Sequence, residues 1–146
     1  MMGKDKDVEV LLVEDSADDS EIVRHILEES HIRFLHVKDG ADALHYIFSE
    51  PSQYEDIHSN ISLVILDINL PKVNGLEVLQ KIRTNSRTHN IPVVILSTSD
   101  DNREIAQAYK LGVNSFVIKP MKFEKFVSTV ESISVYWLTV NRKSVN

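Results

Sequence analysis

The sequence predicts an α/β fold in which a doubly wound parallel sheet of five strands is covered by helices on both faces. Short runs rich in valine, isoleucine and leucine alternate five times with longer stretches of helical spacing. This alternation is typical of βα units joined by right-handed crossovers. The chain has 146 residues and shows no repeat, low-complexity tract or linker, so we expect one domain over residues 1–146.

The strand candidates differ in pattern. Runs 8–13, 63–66 and 93–96 are apolar almost without alternation, as expected of strands buried on both faces, and we place them at the centre. Runs 32–37 and 115–118 complete the sheet. Five strands of this kind favour the flavodoxin-like order 2-1-3-4-5.

The helices between the strands are marked by apolar spacing and by end signals. The apolar sets are Ile22, Ile26 and Leu27; Ala43, Leu44 and Ile47; Val78, Leu79 and Ile82; and Ile105, Ala108 and Leu111. Residues 16–19 offer N-caps for helix 1, and residues 101–104 read as a capping box for helix 4. Gly112 suits the left-handed position that ends helix 4. The polar segment 49–60 predicts a surface loop or an added helical turn.

Composition and charge exclude several classes of function. Sixteen Lys and Arg stand against 22 Asp and Glu, and a net charge of −6 argues against direct binding of DNA or RNA. The absence of cysteine excludes thiolate zinc sites, iron–sulfur clusters and thiol catalysis. The polar start carries neither a signal peptide nor a membrane span, so we expect a cytoplasmic protein without membrane contact.

Polar residues follow the predicted strands at the sheet edge where open α/β folds bind ligands. They are Glu14 and Asp15 after strand 1, Asp67 after strand 3, Ser97 and Thr98 after strand 4, and Lys119 and Pro120 after strand 5. Three carboxylates at one edge repel one another unless a cation joins them. Because an all-oxygen cluster with open positions suits Mg²⁺, the sequence predicts a magnesium site.

One carboxylate of this cluster can also be a nucleophile, since an aspartate can accept a phosphoryl group and form an acyl phosphate. The transfer needs a metal and a cation to neutralise the phosphoryl oxygens and a hydroxyl to hydrogen-bond one of them. Asp67 as acceptor, Lys119 as cation and Ser97 as hydroxyl meet this requirement together with Mg²⁺.

Four segments carry a family resemblance: LVEDS at 12–16, DINLP at 67–71 followed by Gly75, ST at 97–98 and KP at 119–120. In order and spacing they resemble the receiver domain of response regulators in two-component signalling, over nearly the whole chain. The resemblance implies that Glu14, Asp15, Asp67 and the carbonyl of Asn69 hold Mg²⁺. It also implies that Asp67 accepts phosphate from a sensor histidine kinase.

The resemblance further implies that Ser97 and Lys119 contact the phosphoryl group and that Ser97 and Phe116 form a switch. A new charge of roughly −1.5 to −2 would bias the packing of helix 4, strand 5 and helix 5. The output is contact with a downstream protein that the sequence does not name. Apart from its own phosphorylation and dephosphorylation, the chain is expected to be no enzyme.

The sequence departs from the commonest receiver pattern in three residues and in length. Glu14 stands in place of Asp, Ser97 in place of Thr, and Phe116 in place of Tyr. The extension at 49–60 and the YWLT segment at 136–139 resemble stand-alone receivers of phytochrome-type sensor kinases. Trp137 lies beyond what a minimal receiver must bury. We therefore expect self-association, as a homodimer through strand 5 and helices 4 and 5.

Other interpretations fit single residues. Asp67 alone would suit a turn or N-cap, Lys119 alone a solvated surface, and Phe116 the ordinary core. Ser99 is the expected cap of helix 4, and a cis Lys119-Pro120 bond would aim the ammonium into the crevice. Only the combination of these positions favours phosphoryl transfer.

Two other functions compete. A phosphatase of the haloacid-dehalogenase type also uses an Asp nucleophile, Mg²⁺ and a lysine, but it has a second Asp where Asn69 stands here. A flavin or nucleotide carrier would need a glycine-rich loop after strand 1, and the chain has only four glycines.

Overall fold

The computed structural model describes residues 8–48 and 57–144 and contains one parallel sheet. Its strands are β1 Val10–Val13, β2 Phe34–Val37, β3 Leu63–Leu66, β4 Val93–Ser97 and β5 Ser115–Ile118. Their order in the sheet is β2-β1-β3-β4-β5, and every neighbouring pair is parallel. The predicted fold class and the order 2-1-3-4-5 are therefore confirmed.

Within residues 8–48 and 57–144, five α-helices connect and follow the strands. They are α1 Ala17–Glu29, α2 Gly40–Phe48, α3 Gly75–Arg83, α4 Asn102–Leu111 and α5 Phe123–Val135. A single π-helical turn, Tyr136–Val140, continues α5. The part of the chain that the structure describes has no helix long and apolar enough to span a lipid bilayer.

Strand ends differ from the predicted ones where pairing, rather than apolar character, sets the limit. β1 begins at Val10 and β2 at Phe34, two residues later than predicted in each case, because these two residues are the first register partners. β4 extends one residue further than predicted, to Ser97, which pairs with Ile118 of β5. Residues 49–56 of the predicted extension at 49–60 lie outside the described residues.

The core consists of two apolar layers, one on each face of the sheet. Alternate residues of the central strands point to opposite faces, so each of these strands feeds both layers. The layer beneath α2, α3 and α4 includes Leu11, Val64, Leu66, Ile95, Ile47 and Leu79. The layer beneath α1 and α5 includes Leu12, Ile65, Leu96, Leu27, Phe126 and Val130. β1, β3 and β4 are buried throughout, as predicted for the central strands.

The helix ends follow the predicted caps only in part. Ser16 caps α1, and Gly112 ends α4 at a φ of 102°. The capping box expected at 101–104 is absent from this helix: Asp101 accepts from the amide of Arg103, whereas Glu104 binds the hydroxyl of Ser99. Ser99 is therefore not the N-cap, although its hydroxyl accepts from the Asp101 amide at 3.3 Å.

The end of α5 corrects a second expectation. Trp137 is half-buried and packs against the core layer beneath α1 and α5, with its ring edge-on to Tyr136. The exposed apolar side chains here are instead Val135, Tyr136 and Val140. Trp137 follows the buried residues Val130 and Ile133 at helical spacing and so lies on the same face of the helix.

A guanidinium joins the end of α3 to two loops at the opposite edge of the sheet from the strand carboxyl ends. Arg83, at the end of α3, donates to the carbonyl oxygens of Gly112, His89 and Ile91 at 2.8, 3.1 and 2.8 Å. It also donates to the side-chain oxygen of Asn114 at 2.8 Å. Burial lowers the pKa of Arg83 below its ordinary value.

Candidate functional site

The carboxyl ends of β1, β3 and β5 bring the predicted polar residues together. The strand ladder continues one residue past each strand: the amide of Asp67 donates to the carbonyl of Val13 at 3.1 Å, and that of Lys119 donates to Ser97 at 2.8 Å. These backbone bonds fix where the side chains start. The acidic and basic residues therefore meet at the crossover point of the sheet, as the topology predicts.

Glu14, Asp15 and Asp67 form an acidic cluster. One oxygen from each carboxylate lies within 4.8 Å of the others. Glu14 is 3% and Asp67 8% exposed, whereas Asp15 is exposed to solvent. Hard divalent cations prefer carboxylate oxygens and keep some water ligands, so these residues fit such an ion, with Asp15 on the side open to solvent.

Lys119 is surrounded by three carboxylates. Its ammonium Nζ lies 2.9 Å from Glu14 Oε1, 3.3 Å from Asp67 Oδ2 and 2.8 Å from Asp19 Oδ2. The lysine side chain is only 7% exposed. Sequence reasoning placed Glu14, Asp67 and Lys119 together but considered Asp19 only as an N-cap candidate. The available signal was the position of Asp19 on the first turn of the helix that follows Glu14 and Asp15.

Burial and charge oppose one another in this cluster. Desolvation raises the pKa of Glu14 to about 7, and the Asp67 carboxylate adds to the increase, although Lys119 pulls the value down. Burial alone would lower the pKa of Lys119, but hydrogen bonds to Asp19 and Glu14 raise it above its ordinary value. Lys119 therefore stays protonated at neutral pH, whereas Glu14 titrates near it.

The loop after Asp67 is held tightly against α3. The amide of Ile68 donates to Asp67 Oδ1 at 2.7 Å, and the amide of Gly75 donates to the Ile68 carbonyl at 2.8 Å. A Cβ atom on Gly75 would lie only 2.0 Å from the carbonyl oxygen of Asp67. Only glycine allows this approach. Asn69, the predicted carbonyl ligand, lies exposed in the same loop.

Ser97 lies at the end of β4 and is fully buried. Its hydroxyl oxygen accepts a hydrogen bond from the amide of Ser99 at 3.3 Å. The Lys119-Pro120 peptide is trans, like every peptide bond of the described residues, so the cis bond considered from the sequence is not present. The ammonium reaches the acidic cluster without it, because the register of β5 against β4 already directs Lys119 to this edge.

Phe116 is half-buried and packs against the core layer beneath α2, α3 and α4. Its backbone amide, on the open edge of β5, donates to the hydroxyl of Tyr109 at 3.2 Å. Tyr109 is 51% exposed and was not predicted from sequence. His36 was also missed: its Nε2 lies 2.8 Å from the carbonyl oxygen of Glu14 and joins β2 to the acidic loop.

The chain has clear relatives. The family model for the response regulator receiver domain matches residues 10–131. Response regulator Rcp1 of Synechocystis sp. is 35% identical over 131 residues, which cover 88% of each chain. A probable methanogenesis regulatory protein, FilR2 of Methanothrix harundinacea, is 38% identical over 91% of this chain and 85% of its own.

Solved structures agree with these relatives. The Mn²⁺-bound form of Rcp1 matches with a TM-score of 0.84 and 33% identity, over 93% of this chain and 98% of that one. The phosphorylated cyanobacterial phytochrome response regulator RcpA matches with a TM-score of 0.85 and 33% identity, over 93% and 97% of the two chains. Nothing in the comparisons supports the phosphatase alternative. The chain belongs to the response regulator receiver family and is a receiver domain of two-component signalling.

Proposed function

We propose that Asp67 accepts a phosphoryl group from a sensor histidine kinase. The observation that carries the proposal is the meeting of Asp67 with Glu14, Asp15 and Lys119 at one edge of the sheet. In the transfer, the phosphorus–nitrogen bond of a phosphohistidine breaks and a phosphorus–oxygen bond forms to an Asp67 carboxylate oxygen. The phosphohistidine ring is protonated on its other nitrogen before the bond breaks, so that it leaves as neutral imidazole, a good leaving group.

The ligands we propose for Mg²⁺ are the Glu14, Asp15 and Asp67 carboxylates and the Asn69 carbonyl. When bound, the ion neutralises charge on the phosphoryl oxygens. Lys119 supplies a second positive charge and is already paired with Asp67. Glu14 is held in place through Oε2, which accepts from the Ser16 amide at 3.1 Å. We propose that the same groups catalyse slow self-phosphorylation and dephosphorylation of the chain. We expect no other enzymatic activity.

The switch in this proposal consists of Ser97 and Phe116. The Ser97 hydroxyl is bound to the Ser99 amide, and turning toward a phosphoryl oxygen would break that bond. Phe116 lies on the neighbouring strand, where a rotation of its ring would change the surface formed by α4, β5 and α5. Ile118, 46% exposed on β5, belongs to this surface. We propose this surface as the contact for the downstream protein and for a second copy of the chain.

The phosphodonor is proposed from the relatives. RcpA is described as a phytochrome response regulator, so a phytochrome-type kinase is the first donor to test. We propose a cytoplasmic location, as the sequence predicts. We also propose that residues 1–146 act as a single receiver domain.

The direct test is incubation with acetyl phosphate and Mg²⁺ followed by intact mass measurement. We expect one added phosphoryl group on the wild type, none on Asp67→Asn and none when EDTA is present. Asp39→Asn is the matched control, because Asp39 is also a buried aspartate, and its oxygen accepts from the Asp42 amide outside the acidic cluster. Labelling of Asp67→Asn to the wild-type level would overturn the proposal.

A further inference from the structure

Asp19 stands at the third position of α1, where an acidic side chain ordinarily folds back onto the amide of the N-cap residue. That amide, on Ser16, is already taken, because it donates to Glu14 Oε2 at 3.1 Å. The Asp19 amide in turn donates to the Ser16 hydroxyl at 3.2 Å. The helix end is therefore satisfied without the Asp19 carboxylate, which turns away from the cap toward β5.

The Asp19 carboxylate makes the shortest contact of the Lys119 ammonium, 2.8 Å, against 2.9 Å to Glu14 and 3.3 Å to Asp67. Asp19 is 30% exposed, whereas the other two carboxylate side chains are 4% and 10% exposed. The ammonium therefore contacts both the buried carboxylates of the acidic cluster and the more exposed carboxylate of Asp19. Asp19 is not one of the three residues whose oxygens come together in that cluster.

A divalent cation and the Lys119 ammonium draw on the same two carboxylates, those of Glu14 and Asp67. Because Asp19 also binds the ammonium, the interaction of the ammonium with the Glu14 and Asp67 carboxylates is weaker. We propose that Asp19 is a positioning residue that holds Lys119 at the rim of the site and so leaves the Glu14 and Asp67 carboxylates available to Mg²⁺. The inference rests on the proposed function to the extent that these residues are the metal ligands.

The experiment measures Mg²⁺ affinity by calorimetric titration at about pH 8, where Glu14 is ionised. We compare the wild type with Asp19→Asn, Asp19→Glu and Asp18→Asn. Asp18 is exposed on the same helical turn, so its replacement removes the same charge without touching Lys119. We expect Asp19→Asn to weaken Mg²⁺ binding about three- to tenfold more than Asp18→Asn, within the range of coupled neighbouring charges. Asp19→Glu should recover most of the loss.

A double-mutant cycle with Lys119→Met tests whether the effect passes through the lysine. In that background the effect of Asp19→Asn should shrink to that of Asp18→Asn, because no ammonium is left to position. Equal losses of Mg²⁺ affinity in Asp19→Asn and Asp18→Asn, with Lys119 present, would overturn the inference. This comparison does not depend on the folding of a Lys119 variant. Acetyl phosphate labelling of wild-type Asp67, run in parallel, shows separately whether the proposed function holds.

Discussion

The backbone amide of Lys119 donates a 2.8 Å hydrogen bond to the carbonyl oxygen of Ser97. The residue that carries the ammonium and the residue that carries the buried hydroxyl are therefore joined across the ends of β4 and β5. A movement of one backbone segment must be accommodated by the other. In the proposed function, this bond is the route by which phosphorylation of Asp67 would alter the position of β5.

Lys119→Met should destabilise the metal-free protein by about 3–5 kcal/mol at alkaline pH, because it leaves the buried Glu14 and Asp67 carboxylates without their cation. The loss should be smaller at about pH 5, where Glu14 takes up a proton. Urea unfolding at the two pH values measures the difference. Lys122→Met, at an exposed residue, is the control and should change little at either pH. A pH-independent loss for Lys119→Met would contradict this account.

Mg²⁺ binding should weaken as the pH falls below about 7, by up to tenfold per unit, because protons compete for Glu14. The folding stability of the metal-free protein changes with pH in the opposite direction. A carboxyl whose folded pKa is raised from 4.5 to about 7 stabilises the fold below pH 4.5, and this contribution is lost as the pH rises through 7. Calorimetric titrations across this range test the first statement. Glu14→Gln should flatten the pH dependence, and an unchanged slope in that variant would assign the proton to another group.

Gly75→Ala should destabilise the protein by about 1–3 kcal/mol and weaken Mg²⁺ binding as well. A Cβ atom at this position would lie 2.0 Å from the Asp67 carbonyl oxygen, so the loop that carries Asp67 must move. Gly112→Ala provides the comparison, since strain at a φ of 102° would affect stability but leave the distant metal site alone. Equal Mg²⁺ affinities for Gly75→Ala and the wild type would show that the loop absorbs the methyl group.

Arg83→Ala should lower the free energy of unfolding by at least about 2 kcal/mol, because the guanidinium satisfies three backbone carbonyls and Asn114. Arg83→Lys should recover only part of the loss, since an ammonium cannot reproduce the planar fork. Mg²⁺ affinity should not change, because the network lies at the other edge of the sheet. Lys81→Ala, exposed on the same helix, serves as the control in urea unfolding.

The predicted homodimer is tested by sedimentation with and without beryllofluoride, a mimic of the acyl phosphate. Ile118→Lys should shift the protein toward monomer, because it places a charge in the apolar surface formed by α4, β5 and α5. Gln80→Lys adds the same charge on exposed α3 and should leave the association unchanged. A wild-type protein that is monomeric under both conditions would rule out self-association through this surface.

Much of the fold could be predicted because the signals are local. Unbroken apolar runs predicted β1, β3 and β4 at the centre, and helical spacing predicted the elements between them. The acidic, hydroxyl and basic residues at the strand ends followed from topology alone, since parallel strands place their carboxyl ends at one edge. Strand limits and helix caps were less accurate, because register and competition among neighbouring side chains set them.

The sequence by itself determined the sheet, its order and the convergence of Glu14, Asp67 and Lys119. Only the tertiary structure decided which further groups join them. Asp19 and Lys119 are 100 residues apart, and their contact depends on how α1 packs against α5, the helix that follows β5. The half-burial of Trp137 likewise depends on how the end of α5 packs against the core layer beneath α1 and α5. Such contacts depend on distances between separate elements, which are fixed only when the whole core is packed.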